Sequence, residues 1–130
     1  MKTLLLVHIP RTLLGLLFLV SAVDGFWFIF TGGHLINPPV SPKGHEFELA
    51  LQNSGFFWPF LKTINLAGAL SLILNIVPAF GLALIAPVMA TIVLFHAVIN
   101  PQGLPIAGIL VVLGLMLVVA YRDRYAVMFR

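Results

Sequence analysis

Four polar side chains interrupt long apolar stretches of this chain: Asp24, Lys62, Asn65 and His96. A charge at the bilayer centre costs about 2.5–3.5 kcal/mol even on a lenient insertion scale, so an ionisable group inside an apolar helix points to pairing, ligand binding or proton transfer. Asp24 and Lys62 are an acid and a base that can neutralise each other. His96 is the only histidine between positions 63 and 121, which makes it a candidate metal ligand, haem ligand or proton-transfer group for a quinone. The plainer reading is a hydrogen-bonded structural histidine. His34, His45, Glu46 and Glu48 could approach His96 to form a metal site, although nothing in their spacing requires it. No metal ligand is assigned.

The elements that must carry these residues follow from composition. Of 130 residues, 61% are hydrophobic and 8% charged, against about 25% charged in a soluble domain. Such a chain cannot cover a water-facing surface and belongs in a bilayer. It has no cysteine, which excludes disulfides, thiolate metal sites, iron–sulfur clusters and thiol relays. Residues 63–121 lack Asp, Glu, Lys and Arg; as one helix they would stretch about 88 Å, so they must fold back on themselves. Asn75-Ile-Val-Pro78 and Asn100-Pro-Gln-Gly-Leu-Pro105 mark the turns. The prediction is an all-α membrane protein, a single four-helix transmembrane domain with spans at 12–30, 56–74, 80–99 and 104–121. Residues 1–25 also resemble a signal peptide, but the apolar stretch runs on through Phe30, past the cleavage-like Val20-Ser-Ala22, so this segment is read as the first span.

Placing the charges orients the bundle. Lys2, Arg11, Arg122, Arg124 and Arg130 lie on the side of the termini, and only Lys43 and Lys62 on the other. Five against two predicts cytoplasmic termini in the inner (plasma) membrane, with the 31–55 segment outside. The basic tail suits anionic lipid headgroups rather than nucleic acid. Within the outer segment, Phe47, Ala50 and Leu51 have helical spacing, which predicts a short amphipathic helix on the membrane surface.

Asp24 lies six residues before the end of the first span and Lys62 six past the start of the second, each about 9 Å deep. This equal depth predicts an interhelical Asp24–Lys62 ion pair. The alternatives are a snorkelling Lys62 and a protonated Asp24 bonded to helix backbone or to Ser21. On the second span Asn65, Gly68, Ser71 or Leu72, and Asn75 form a small, polar stripe, and on the third Ala83, Ala86, Ala90 and Ala97 form another. Both are read as helix-packing faces. Phe26, Trp27, Phe28 and Phe30 face Phe56, Phe57, Trp58 and Phe60 at the outer rim, either as an interfacial aromatic belt or as the mouth of an apolar ligand site. Asp24, Trp27, Trp58, Lys62, Asn65 and His96 together outline a candidate outward-opening pocket under the long segment.

These features resemble the DoxX family of small four-helix bacterial membrane proteins. The residues that carry the resemblance are Leu61-Lys-Thr-Ile-Asn-Leu-Ala-Gly68, Ala86-Pro-Val-Met-Ala-Thr-Ile-Val-Leu-Phe-His96, Asn100-Pro-Gln-Gly-Leu-Pro105 and Ala120-Tyr-Arg-Asp-Arg-Tyr125, with Arg11 and Gly15-Leu-Leu-Phe18 a looser fit. Asn65 stands where relatives usually carry glutamate. The resemblance implies a four-helix fold and an association with redox or membrane-assembly complexes, such as thiosulfate:quinone oxidoreductase.

Three functions stay open. The first is a non-enzymatic accessory or assembly subunit that binds a partner membrane or redox protein, or a lipid, and needs no cofactor. The second is a quinone-binding subunit of an oxidoreductase, using His96, Lys62 and Asp24. The third is a small transporter, which would require a homo-oligomer because four such helices enclose little room for a pore.

Overall fold

A computed structural model describes residues 2–129, so Arg130, one of the basic residues in the orientation count, lies outside the described residues. Six α-helices follow in chain order: α1 (Ile9–Thr31), α2 (Pro42–Asn53), α3 (Phe57–Leu74), α4 (Pro78–Leu94), α5 (Leu104–Ala120) and α6 (Arg122–Ala126). Among the described residues there is no strand. Short non-α turns extend three of these helices, giving four continuous segments long and apolar enough to cross a membrane: Leu4–Thr31, Phe57–Leu74, Pro78–Ile99 and Pro101–Ala120. Large apolar side chains cover the outside of the bundle, among them Leu13, Leu16, Phe80, Leu94, Val112 and Leu115. A surface of this kind is stable in lipid and not in water. The chain is therefore a multi-pass membrane helix bundle.

The four long helices form a closed ring in which α1 packs on α3, α3 on α4, α4 on α5, and α5 back on α1. The core joins Leu14 and Phe18 of α1, Ala69 and Leu72 of α3, Leu82, Ile85 and Met89 of α4, and Leu110, Leu113 and Leu117 of α5. Gly68 sets the closest approach of α3 to α4, because a Cβ there would stand 2.2 Å from Ile85 Cγ2.

The first span starts well before position 12. A π-helical turn, Leu4–His8, leads directly into α1, and the Ile9 amide bonds Leu4 O. Proline lacks an amide hydrogen and its ring crowds the carbonyl four residues back, so Pro10 reads as a helix start. The wider π turn ahead of it carries the helix through instead. As a result Arg11 falls inside the span rather than beside it.

The alanine stripe of the third span also needs correction. Ala83, Ala86, Ala90 and Ala97 are exposed on the bundle exterior, and the buried face of α4 is Gly81, Leu82, Ile85 and Met89. Small size permits close helix approach but does not fix which side of a helix turns inward. The bulkier aliphatic side chains fill the ring's interior and rotate the alanines outward. On α3 the buried set is Trp58, Lys62, Asn65, Gly68, Ala69 and Leu72. Asn75 ends that helix in the left-handed conformation at φ 56°, a position that asparagine tolerates better than most residues.

Candidate functional site

At the end of the bundle away from the chain termini, α3 presents Trp58 and Lys62, one helical turn apart, toward Ser21, Asp24, Gly25 and Phe28 of α1. Lys62 is 8% exposed. Its stem lies across Gly25, its ammonium donates to Ser21 Oγ at 3.1 Å, and its Nζ sits 4.5 Å from the centroid of the Trp58 ring. Trp58 Nε1 donates to Gly25 O at 3.2 Å, which fixes the indole against α1. Asn65, 1% exposed, offers Nδ2 to the same Ser21 oxygen at 3.4 Å. Its Oδ1 is buried with no hydrogen-bond partner among the described residues. Lys62 thus turns inward instead of snorkelling, and Ser21 joins it to Asn65.

The expected Asp24–Lys62 ion pair is not formed. Asp24 Oδ1 accepts from the amides of Leu35 at 2.7 Å and Ile36 at 3.1 Å, and Oδ2 contacts His34 Nδ1 at 2.9 Å. Their equal spacing from the predicted span ends was not decisive, because α1 ends at Gly32 with φ 80° and the chain doubles back over its own last turns. That return brings three donors to the carboxylate, two of them backbone amides. Among the described residues Asp24 pairs with His34, and neither Asp24 nor Glu48 makes an ion pair with Lys62.

His34 ties the returning chain to the aromatic cluster. Its ring stacks on Phe28 with centroids 4.7 Å apart and planes 18° from parallel, and stands edge-on to Trp58 at 6.2 Å. Its Nε2 lies 3.1 Å from Gln52 Nε2 at the end of α2, a contact that fits the Asp24-facing nitrogen carrying the proton and the amide donating to the other.

The far end of this segment is fastened as well. Ser41 N donates to Asn100 Oδ1 at 3.0 Å and Ser41 Oγ to Ile99 O at 2.8 Å. Ser41 also caps α2, its hydroxyl accepting from Gly44 N at 3.0 Å, with Pro42 in the first helical turn, where no amide is needed. Phe47 packs on Phe95 at 5.6 Å between ring centroids. The chain from His34 to Ser41 therefore forms a strap from α1 to the α4–α5 turn, held by Asp24 at one end and by Asn100, 3% exposed, at the other, and α2 leads back from there to Gln52 beside His34. Sequence reading took Asn100 for a turn residue only. Its signal, an amide followed by proline, did not say that its side chain would be buried.

Two of the expected site residues lie elsewhere. His96 occupies the π-helical turn that ends the third span; its Nδ1 is 3.3 Å from Asn100 O, and its ring fills the space where a Gly103 side chain would be. It supports the strap's anchor and makes no hydrogen bond or ring contact to Lys62 or Trp58. Trp27 is 47% exposed and faces outward, as do Phe30, Phe56 and Phe60, whereas Phe28 and Trp58 turn toward the site. The aromatic rim is thus divided between an outer belt and an inner cluster. Asp24, Trp58, Lys62 and Asn65 are brought together, with Ser21, Phe28, His34 and Gln52 added. Among the described residues no three His, Cys, Asp or Glu side chains gather closely enough to hold a metal ion, and His34 is engaged by Asp24 rather than by His96.

A third charge inside the spans was missed. Arg11, 8% exposed, donates through Nη1 to Leu72 O and, at 3.2 Å, to Ile73 O, the free carbonyls in the last turn of α3. A cation here complements the negative end of the helix dipole. His8 Nδ1 lies 3.3 Å from Arg11 Nη2. Nearby, Tyr125 Oη donates to Ala79 O at 2.7 Å, and Tyr121 is buried with a hydroxyl that has no partner among the described residues. Burial pushes both phenols above the ordinary tyrosine range.

No protein-family model, curated protein or solved structure matches this chain.

Proposed function

We propose that this chain is a DoxX-like accessory or assembly subunit of the bacterial inner membrane, without enzymatic activity of its own, which binds a membrane-borne partner through the Lys62–Trp58 site. One observation carries the reading: Lys62 is a buried cation whose single hydrogen-bond acceptor among the described residues is the Ser21 hydroxyl. An ammonium has three donors, and burying it with one neutral acceptor and an aromatic face leaves its charge largely uncompensated. A carbonyl or phosphate oxygen from a lipid or from a partner protein would supply what is lacking. The strap would act as the roof that admits or retains that group, with α2 at the outer membrane surface.

Cytoplasmic termini remain the better orientation. Setting aside the buried Arg11 and Lys62 leaves Lys2, Arg122 and Arg124 exposed at the terminal end against Lys43 at the other, the bias that favours retention on the cytoplasmic side.

A second reading, a quinone site, draws on the Phe28–His34 stack beside Trp58. Flat aromatic walls next to an ammonium donor suit a ring carrying carbonyl oxygens, with Lys62 rather than His96 as the donor.

Mass spectrometry of the intact protein purified from its membranes tests both readings. A retained lipid, quinone or partner protein that is lost in Lys62→Met, with helicity unchanged, supports the proposal, and the retained mass distinguishes the two. Identical bound species in wild type and Lys62→Met would overturn it.

A further inference from the structure

A second site lies at the opposite end of the bundle, where the N-terminal turn and α5 diverge. The groove between them has a volume of 580 Å³, within the range of about 300–1,000 Å³ typical of pockets that hold whole organic molecules. Its walls include Leu6, Leu115 and Val119, all exposed on the bundle exterior, and its mouth carries Lys2, Arg122 and Asp123. Two bases and one acid leave one net positive charge at the end of an open, largely apolar groove on the bundle exterior.

We propose that this groove is a binding site for one anionic glycerophospholipid, with an acyl chain along Leu6, Leu115 and Val119 and the phosphodiester between Lys2 and Arg122. The charges are complementary, since a phosphatidylglycerol headgroup carries one negative charge. The distribution of polarity also matches, because the charged residues gather at one end and, Thr3 apart, apolar side chains line the rest. A free phosphate ion would leave the apolar walls bare, and a zwitterionic lipid would leave the net charge unmatched. Basic residues at a membrane surface favour anionic lipid by about fivefold each, so one bound lipid can be selected without a deep cavity. The site is separate from the Lys62 pocket and does not depend on its function.

The test is native mass spectrometry of the full chain released from nanodiscs containing equal amounts of phosphatidylglycerol and phosphatidylcholine. The expected result is one retained phosphatidylglycerol, preferred by roughly fivefold or more. The preference should fall to near parity in the K2Q/R122Q double variant, which changes only exposed side chains and should fold normally. L115W/V119W, which fills the channel but keeps both bases, should lose the lipid altogether. Equal retention of the two lipids by the wild type, undiminished preference in either double variant, or displacement of the lipid by millimolar inorganic phosphate would overturn the proposal.

Discussion

The stem of Lys62 lies directly across Gly25, so that a methyl group at position 25 would stand 2.2 Å from its Cδ and 2.3 Å from its Cγ. Glycine is required here by the neighbouring side chain rather than by its own backbone. Gly25→Ala should push the lysine off Ser21 and away from the Trp58 ring, at a cost of about 1–2 kcal/mol. Thermal unfolding in detergent measures this. In a Lys62→Ala background the same substitution should cost nothing or stabilise slightly, because alanine is then the better helix former by about 1 kcal/mol. An equal cost in both backgrounds would show that Gly25 answers to another contact.

Arg11 closes the end of α3 with a guanidinium that reaches two carbonyls. Arg11→Met should destabilise the bundle by about 1.5–3 kcal/mol, the usual value of hydrogen bonds made by a charged group. Arg11→Lys should recover less than half of that loss, since a point charge does not reproduce the planar fork. Hydrogen exchange at the amides of the α3–α4 turn should rise in both variants.

Asn100 holds the strap through its side chain. Asn100→Ala removes the acceptor of the Ser41 amide in a buried position and should cost about 1–3 kcal/mol. The effect should be local. Protease cleavage between positions 36 and 44 should accelerate while the four spans stay intact, which gel analysis of limited digests will show.

The two tyrosines at the terminal end give opposite expectations at neutral pH. Tyr125→Phe loses the bond to Ala79 O and should cost about 0.5–1.5 kcal/mol, whereas Tyr121→Phe removes a hydroxyl with no partner and should be neutral or stabilising. Their pH dependence has the same sign. Burial raises both phenol pKa values in the folded protein, so the folded state holds these protons more tightly than the unfolded one. The resulting stability is complete below about pH 10 and is lost as pH rises through the folded-state pKa. Each Phe variant should flatten that alkaline fall in the melting temperature.

Hydropathy made the four spans readable, because an apolar run of the right length has few alternatives in a membrane protein. Rotation about the helix axis was less accessible: Ala83, Ala86 and Ala90 share one face, but only packing against the other three helices decides that the face turns outward. The Asp24–Lys62 pair failed for a related reason. A carboxylate is claimed by whichever donors the fold delivers first, and the return of residues 34–36 depends on a turn that hydropathy does not describe. Arg11 was placed with the terminal charges because its position inside the span depends on a π turn that has no marker in the sequence. Ser41 and Asn100 are far apart in the chain, and their pairing became visible only once α2 was seated against the end of the bundle.

The central claim is that Lys62 is buried against α1 and Trp58, at a site that a strap pinned at Asp24 and Asn100 closes off from water. Lysine reactivity tests it directly, because the chain has only Lys2, Lys43 and Lys62, and peptide mapping after brief exposure to a water-soluble amine-reactive ester reports each one. In the detergent-solubilised wild type, Lys43 should be modified readily and Lys62 protected, with Lys62 becoming reactive in Asn100→Ala. Modification of Lys62 in the wild type at the rate of Lys43 would contradict the account.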